Sequence, residues 1–373
     1  MCLVECESTW QASVLCIRPL NLRINVIEKL SHSEAESLAW QFLLAARHVA
    51  SESGQLGTCL NLNSKTGKVA RADSVDQTTW IWLDSEGGWC CKQYLPPICR
   101  AAFDLYLPLL RHSTGDEVIT AHLGQSIDAR IATRSGDSFY VTGEENRKHL
   151  HCLRALSDAV IVGSGTVMAD DPQLNTRAVV GDSPVRVIMD ARARLQAPLK
   201  IFSDGLARTI LVHQSSANLD GRAMHFGPRV VDRSGHIVSQ VERWVVPDTD
   251  ESLPVGRLVA LLKKQGLRRL FVEGGGITVS RFFEARVLDR LHVAVAPLLV
   301  GEGTEALQLK GVMEMMHAHR PPHAIYRMGE DILWDFDVST IKNDLATSVV
   351  TGCDTVDREL HDQIPRSPLE RLV

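Results

Sequence analysis

No apolar run in this 373-residue sequence approaches the length of a membrane span, and the N-terminus lacks the basic-then-apolar order of a signal peptide. Neither a spanning nor a secreted chain is therefore expected. Positive charge is not in excess either: the net charge is −5, which leaves no electrostatic case for nucleic acid or an anionic membrane as partner. Cysteine occurs nine times, an odd number, and never as C-x-x-C, so neither a disulfide scaffold nor a zinc ribbon is indicated and no metal is expected. A reduced, cytoplasmic location follows as the expectation. Internal repeats are absent. What is present is 45% hydrophobic and 23% charged residues, a soluble globular composition with ample core. The length allows two domains, or one large domain with an appendage.

The composition changes near residue 115. Seven of the nine cysteines and five of the seven tryptophans precede it. Residues 34–50 have helical spacing of Leu38, Phe42, Leu43, Ala46 and Val49, with Ser33 as the expected N-cap. Residues 58–83 read as a pair of strands around Ser64-Lys65-Thr66-Gly67, followed by WIWL, and residues 103–110 lead into an expected linker. The motif His32-Ser33-Glu34 matches the H-x-E of zinc deaminases, but the second half, P-C-x-x-C, is missing: Pro97-Ile98-Cys99 is followed by Arg-Ala-Ala. Residues 1–115 are thus expected to form a separate α+β segment of unassigned role that is not a zinc deaminase.

From residue 118 strands and helices alternate, the pattern of an α/β domain. Val118–Leu123, Ala159–Val162, Val185–Met189 and Thr209–Val212 read as strands. Glu144–Leu156 and Leu258–Lys264 read as helices, with Thr142 or Gly143 near the N-cap of the first. Leu288–Leu299 and a hairpin over Ile325 and Ile332–Val338 complete the domain at about residue 339. Residues 340–373 have no period and are expected to form a mobile tail.

The stretch Leu270–Glu284, LFVEGGGITVSRFFE, organises this domain. It reads as a short strand, a glutamate at its C-terminal tip, three glycines and a helix. Glycines at a strand-to-helix turn bare the first amides of the helix, where phosphate oxygens bind. The spacing is neither G-x-G-x-x-G nor a P-loop, and an ordinary tight turn is the competing reading. Glu273 adds specificity, because the C-terminal ends of strands in an open α/β sheet form the usual ligand crevice.

Four further pieces accompany that turn: Gly124–Ala129, Gly136–Thr142, Arg154, and Ser164–Arg177. With them, residues about 118–338 resemble the reductase (C-terminal) domain of the bifunctional riboflavin-biosynthesis deaminase/reductase. The matching blocks are SIDAR at Ser126–Arg130, Gly136–Thr142, Leu153-Arg154-Ala155, Thr166–Arg177 and Val272–Gly275. They stand in the family's order.

The resemblance implies a dihydrofolate-reductase-like fold, a mixed and mainly parallel sheet flanked by helices. It also implies NADPH-dependent reduction of a phosphoribosylaminopyrimidine to its ribitylamino form, and a homodimer. Ser138, Arg154, Leu174, Arg177 and Glu273 resemble the family's substrate contacts, the two arginines suiting a sugar phosphate. Gly124, Tyr140, Thr166, Asp170 and the turn Gly274, Gly275, Gly276, Ile277, Thr278 resemble its NADPH contacts. Glu273, Asp128 and His122 are expected to be the catalytic residues. Arg192 or Arg194 can meet a 2′-phosphate, or both can be solvated.

The chain departs from the family's pattern at three places. Ala129 replaces a glycine and is expected to hold a negative φ. Tyr140 replaces a tryptophan. His122 stands where many members have lysine, either as a donor near the sugar or as a buried neutral ring. Two alternatives to the riboflavin-type reductase remain: reduction of a pterin or another nitrogen heterocycle on the same fold, and a non-catalytic nucleotide-binding scaffold.

Overall fold

A computed structural model of the chain describes residues 31–53, 59–62, 69–72, 79–83, 89–91, 95–110, 117–195, 199–215, 230–231, 237–239, 241–247 and 253–342. The chain divides into two compact units, Met1–Thr114 and Gly115–Val373.

The first unit opens with helix α1 (His32–Ser53), whose face buries Leu38, Phe42, Leu43 and Ala46. Its N-cap is Ser31 rather than Ser33. The Ser31 amide and hydroxyl both donate to Glu34 Oε2, at 2.9 and 2.7 Å, while the Glu34 amide meets Ser31 Oγ at 3.4 Å. This is a reciprocal capping box, so Glu34 is occupied at the helix start. An antiparallel sheet follows, built from β1 (Cys59–Leu62), β2 (Val69–Ala72), β3 (Thr79–Leu83) and β4 (Trp89–Cys91) in the order β2-β1-β3-β4. The expected turn at Ser64–Gly67 lies outside the described residues. Helix α2 (Pro97–Tyr106) packs Phe103 on Phe42 with ring centroids 5.2 Å apart. It continues into a buried 3-10 turn over Leu107–Leu110. The linker expected to follow, at 111–116, lies outside the described residues.

The second unit alternates as follows. Strand β5 (Val118–Ser126) and the short β6 (Arg130–Thr133) precede α3 (Glu144–Leu156), β7 (Ala159–Gly163), α4 (Ser164–Asp170) and β8 (Val185–Met189). Then come α5 (Lys200–Ser203), β9 (Thr209–Gln214), the small hairpin β10 (Val230–Val231) and β11 (Ile237–Ser239), β12 (Val241–Val246) and α6 (Val255–Lys264). The last part holds β13 (Arg269–Glu273), α7 (Gly276–Glu284), β14 (Arg290–Ala296), β15 (Gly303–Glu305), β16 (His323–Met328) and β17 (Asp331–Asp337).

One nine-stranded sheet carries the unit, in the order β12-β9-β8-β7-β13-β5-β14-β17-β16. The first seven run parallel; β17 and β16 close one edge antiparallel. The fold class is the expected mixed, mainly parallel α/β sheet. Strand β13 is central and apolar on both faces because helices cover both. Leu270, Phe271 and Val272 are fully buried, each worth about 1.5–3 kcal/mol of apolar burial. Late in sequence, β13 inserts between β7 and β5, so the chain leaves neighbouring strand ends in opposite directions. That topological switch leaves a crevice beyond the carboxyl ends of β7, β13 and β5. At the far end, residues 339–342 form a helical turn with Ile341 in the core. The remainder of the expected tail, 343–373, lies outside the described residues.

Candidate active site

Register fixes what meets at the crevice. Glu273 ends β13 opposite His122 of β5, and Val272 lies opposite Ile161 of β7, two residues before Gly163. The Glu273 carboxylate is taken by Arg154 from α3. Arg154 Nε donates to Oε2 at 2.8 Å and Nη2 to Oε1 at 2.5 Å. Arg154 Nη1 donates to the Asn175 carbonyl at 3.1 Å and lies 3.4 Å from His151 Nδ1. Four of its five donors therefore face this protein, and the residue is only 7% exposed.

His151, one helical turn before Arg154, accepts the Arg177 amide at 3.2 Å. Burial, then the Arg154 and Arg177 charges, push its pKa down to about 4. Arg177 itself is exposed, its Nη1 donating to Asn175 Oδ1 at 2.7 Å. The two arginines predicted to share an anion thus have different employment: Arg154 neutralises Glu273, and Arg177 presents charge outward. Leu174 is buried with φ of +51°, a strained packing position that sets the course of this loop.

The glycine turn divides in a similar way. Gly274 has φ of +136° and fits against Thr166 and Val162. The Gly275 amide donates to Thr166 Oγ1 at 3.0 Å, so Thr166 holds the turn together. A Cβ on Gly275 would make only ordinary contacts, whereas one on Gly276 would lie 1.4 Å from the Ala306 carbonyl oxygen. Gly276 is therefore a chain-crossing glycine and not part of an open cradle. Only Gly275 leaves room for a ligand. Ile277 is exposed at the first turn of α7, while the Thr278 hydroxyl fills the space over Gly163. Likewise, the space over Gly124 is filled by the Thr142 methyl, 2.7 Å from where a Cβ would stand.

The loop between β6 and α3 reaches α4 through Ser138 Oγ, which donates to Asp170 Oδ1 at 3.0 Å. Phe139 and Tyr140 stand beside it almost fully exposed, and Arg147 lies 5.3 Å from the Tyr140 ring centroid. Arg194 donates from Nη2 to Ser164 Oγ at 2.9 Å at the edge of the same crevice, and Arg192 is exposed.

Two residues predicted to be catalytic have other partners. His122 is buried, and its Nε2 sits 3.0 Å from Asn146 Oδ1. Burial, then the neighbouring His292, push its pKa down to about 3, so the ring is neutral and is no cationic stand-in for lysine. Asp128 accepts from Ser126 Oγ at 2.5 Å and from the Gly301 amide at 2.7 Å, with Val300 N 3.2 Å away. The Ser126 hydroxyl first, then those amides, lower its pKa to about 2. Asp128 braces the Val300–Gly301 loop. Between these bonds Ala129 takes φ of +58°, against the negative value expected, which explains why glycine suits the position.

Asn146, His151 and Asn175 escaped the sequence reading. His151 alone had a signal: it lies three residues before Arg154 on one helix face. Among the described residues no cluster of histidine, cysteine, aspartate or glutamate could hold a metal ion.

An α/β sheet with a carboxylate–guanidinium pair and a glycine turn at its switch point defines a ligand-binding crevice of the nucleotide-and-small-molecule kind. Residues 117–333 match the RibD C-terminal domain family, and the chain belongs to it. It is 30% identical over 227 residues to the 2,5-diamino-6-ribosylamino-4(3H)-pyrimidinone 5′-phosphate reductase of Methanothermobacter thermautotrophicus, covering 59% of this chain and 97% of that one. It is 28% identical over 218 residues to the riboflavin biosynthesis protein RibD of Aquifex aeolicus, covering 58% of this chain but only 56% of the relative. Among solved structures, Acinetobacter baumannii RibD aligns with a TM-score of 0.49 and 25% identity over 64% of this chain and 62% of that chain.

Proposed function

We propose that the chain is an NADPH-dependent reductase that converts a phosphoribosylaminopyrimidine to its ribitylamino form. One observation carries the reading: Glu273, at the tip of β13 and oriented by Arg154, stands directly before the open Gly275 position. Arg177, an outward cation, is tied to the same pair through His151 and Asn175. A reduced nicotinamide, when bound, supplies hydride to the sugar C1′ of the opened, imine form of the substrate.

The residues present fit such a cofactor. Gly275 leaves space for a pyrophosphate, and the Gly276 and Ile277 amides of α7 come before the first helical bond, which the Thr278 amide makes to the Gly275 carbonyl at 3.0 Å. Arg194 and Arg192 border the crevice on the β8 side. For the substrate, Arg177 binds the phosphate, Glu273 accepts hydroxyl or amino protons, and Tyr140 offers a flat face to a ring. Ser138 and Asp170 hold the loop that carries Tyr140. Asp128 and His122 shape the site from behind and touch no reacting atom.

The protein acts as a homodimer in a reduced, cytoplasmic compartment, which suits Cys90, Cys91, Cys99 and Cys152, none of them in a disulfide. No described helix is long and apolar enough to cross a membrane. The deciding experiment measures NADPH consumption against the ribosylaminopyrimidine phosphate in its uracil and diamino forms, and against dihydrofolate. Turnover of a phosphoribosyl compound alone is the expected result. Turnover of dihydrofolate alone would move the chain to the pterin alternative, and NADPH binding without turnover of any would leave a nucleotide-binding scaffold.

A further inference from the structure

Phe139 and Tyr140 are 79% and 80% exposed, and Tyr140 has φ of +59°, unfavourable for a bulky residue. Exposed rings on a strained backbone persist only where the surroundings over-determine them. Here the loop is tied at both ends. On one side Ser138 bonds Asp170. On the other, the Gly143 amide donates to Asp331 Oδ2 at 2.7 Å, and Arg147 Nη1 donates to the Thr142 carbonyl at 3.2 Å. The third tie comes from Asn146, which is fully buried at 0% exposure. Its Nδ2 donates to Thr142 Oγ1 at 3.0 Å, and its Oδ1 faces His122 Nε2 at 3.0 Å.

That amide couples the sheet to the loop. Because Nδ2 is committed to Thr142, Oδ1 must accept, so His122 carries its proton on Nε2. The Thr142 methyl is held over Gly124 by the same bond. Strand β5, the first turn of α3 and the root of the loop are thereby locked two residues from Tyr140.

We propose that Asn146 and Thr142 form a latch that positions the Tyr140 ring to receive a planar nitrogen heterocycle. The identity of that heterocycle, nicotinamide or pyrimidine, rests on the function proposed above. Both are positioning residues: neither touches the reacting atoms, and their effect reaches the ligand through the loop.

The test uses the full chain. Thr142→Val removes only the hydroxyl and keeps the methyl over Gly124. Asn146→Leu removes both ends of the amide at similar volume. In each variant chymotryptic cleavage after Phe139 and Tyr140, followed by mass spectrometry, is expected to quicken roughly fivefold, the weight of one neutral hydrogen bond. KM for NADPH or for the pyrimidine phosphate should rise by a similar factor, while kcat stays within about twofold. Whichever KM moves identifies the heterocycle. The double variant should be no worse than either single one, since one latch is being opened twice. Wild-type cleavage rates in Thr142→Val, additive effects, or quicker cleavage with neither KM changed would each overturn the proposal. If Asn146→Leu does not fold, Thr142→Val decides alone. If the wild type turns over neither substrate, the functional reading fails, and the cleavage rates by themselves uphold or overturn the latch.

Discussion

Arg154 donates two parallel hydrogen bonds, Nε to Oε2 and Nη2 to Oε1, across the crevice to Glu273, 119 residues away in the chain. The pair is buried at both ends, with 8% and 15% of the side chains exposed. A buried pair contributes little net stability over an apolar substitute. Breaking it, however, strands the remaining charge at a cost of about 3–5 kcal/mol.

That relationship separates the two arginines. Arg177→Ala removes an outward cation, and losing a charge-assisted bond of about 1.5–3 kcal/mol should lower kcat/KM roughly 10- to 150-fold on the phosphorylated substrate. On the dephosphorylated nucleoside it should do little. Arg154→Ala strands Glu273 and should lower kcat/KM on both substrates by the same factor. Steady-state kinetics on the pair of substrates checks this. A phosphate-selective loss in Arg154→Ala would show that the guanidinium leaves Glu273 when ligand binds.

The glycine turn gives a second contrast. Gly275→Val meets only ordinary contacts in a backbone conformation open to any residue, φ −64° and ψ 156°. It should therefore fold normally and weaken NADPH binding more than 10-fold, about 1.4 kcal/mol or more. Gly276→Ala drives a methyl into the Ala306 carbonyl and should lower the melting temperature before any ligand is added. Thermal melts beside fluorescence titration with NADPH distinguish the two. A Gly275 variant with unchanged affinity would remove the turn from the cofactor site.

Much of this was legible in the sequence, for reasons that differ residue by residue. Helix Glu144–Leu156 and strand Val185–Met189 have their predicted bounds, because periodicity and short apolar runs act locally. Glu273 at a strand tip before glycines was also a local pattern. The destination of Arg154 was not, since its partners arrive from β13 and from the loop at Asn175 by tertiary crossing. Nor was the distinction between Gly275 and Gly276, which exists only because the chain at Ala306 passes over one of them. The positive φ of Ala129 depends on the Asp128 carboxylate reaching Gly301, again a long-range contact. The surroundings of His122, open from sequence, are tertiary too: burial and the Asn146 side chain, which arrives from α3.

Buried histidines govern the last prediction, on stability against pH. His122, His149 and His292 lie together under the sheet, with His149 Nε2 3.1 Å from His292 Nδ1 and the rings of His122 and His149 5.5 Å apart. His292 in turn lies 3.2 Å from Asp335, which Arg290 also grips. Burial, and then the neighbouring histidines, lower the pKa of His149 well below its ordinary value, and that of His122 falls to about 3. In the unfolded chain both titrate near 6.5. Above that pH neither state is protonated and stability is full. As pH falls below 6.5, the unfolded chain takes up protons that the folded one refuses, so stability falls toward the folded values. The slope approaches about 1.4 kcal/mol per pH unit for each histidine, and His151 at the crevice, pushed down to about 4 by burial and by Arg154 and Arg177, adds a third, roughly three times that slope together. Asp128 and Asp335, with lowered pKa values, lose their contributions only below about pH 4. Asp289 and Asp331 have raised values and act in the opposite sense just above that range. The interval from about pH 5 to 6 therefore reports the histidines most cleanly. Urea unfolding across it should show stability falling with pH at a slope approaching three protons per molecule, and His149→Phe should flatten that slope by about one. A pH-independent midpoint in the wild type would mean that these rings accept protons in the folded state.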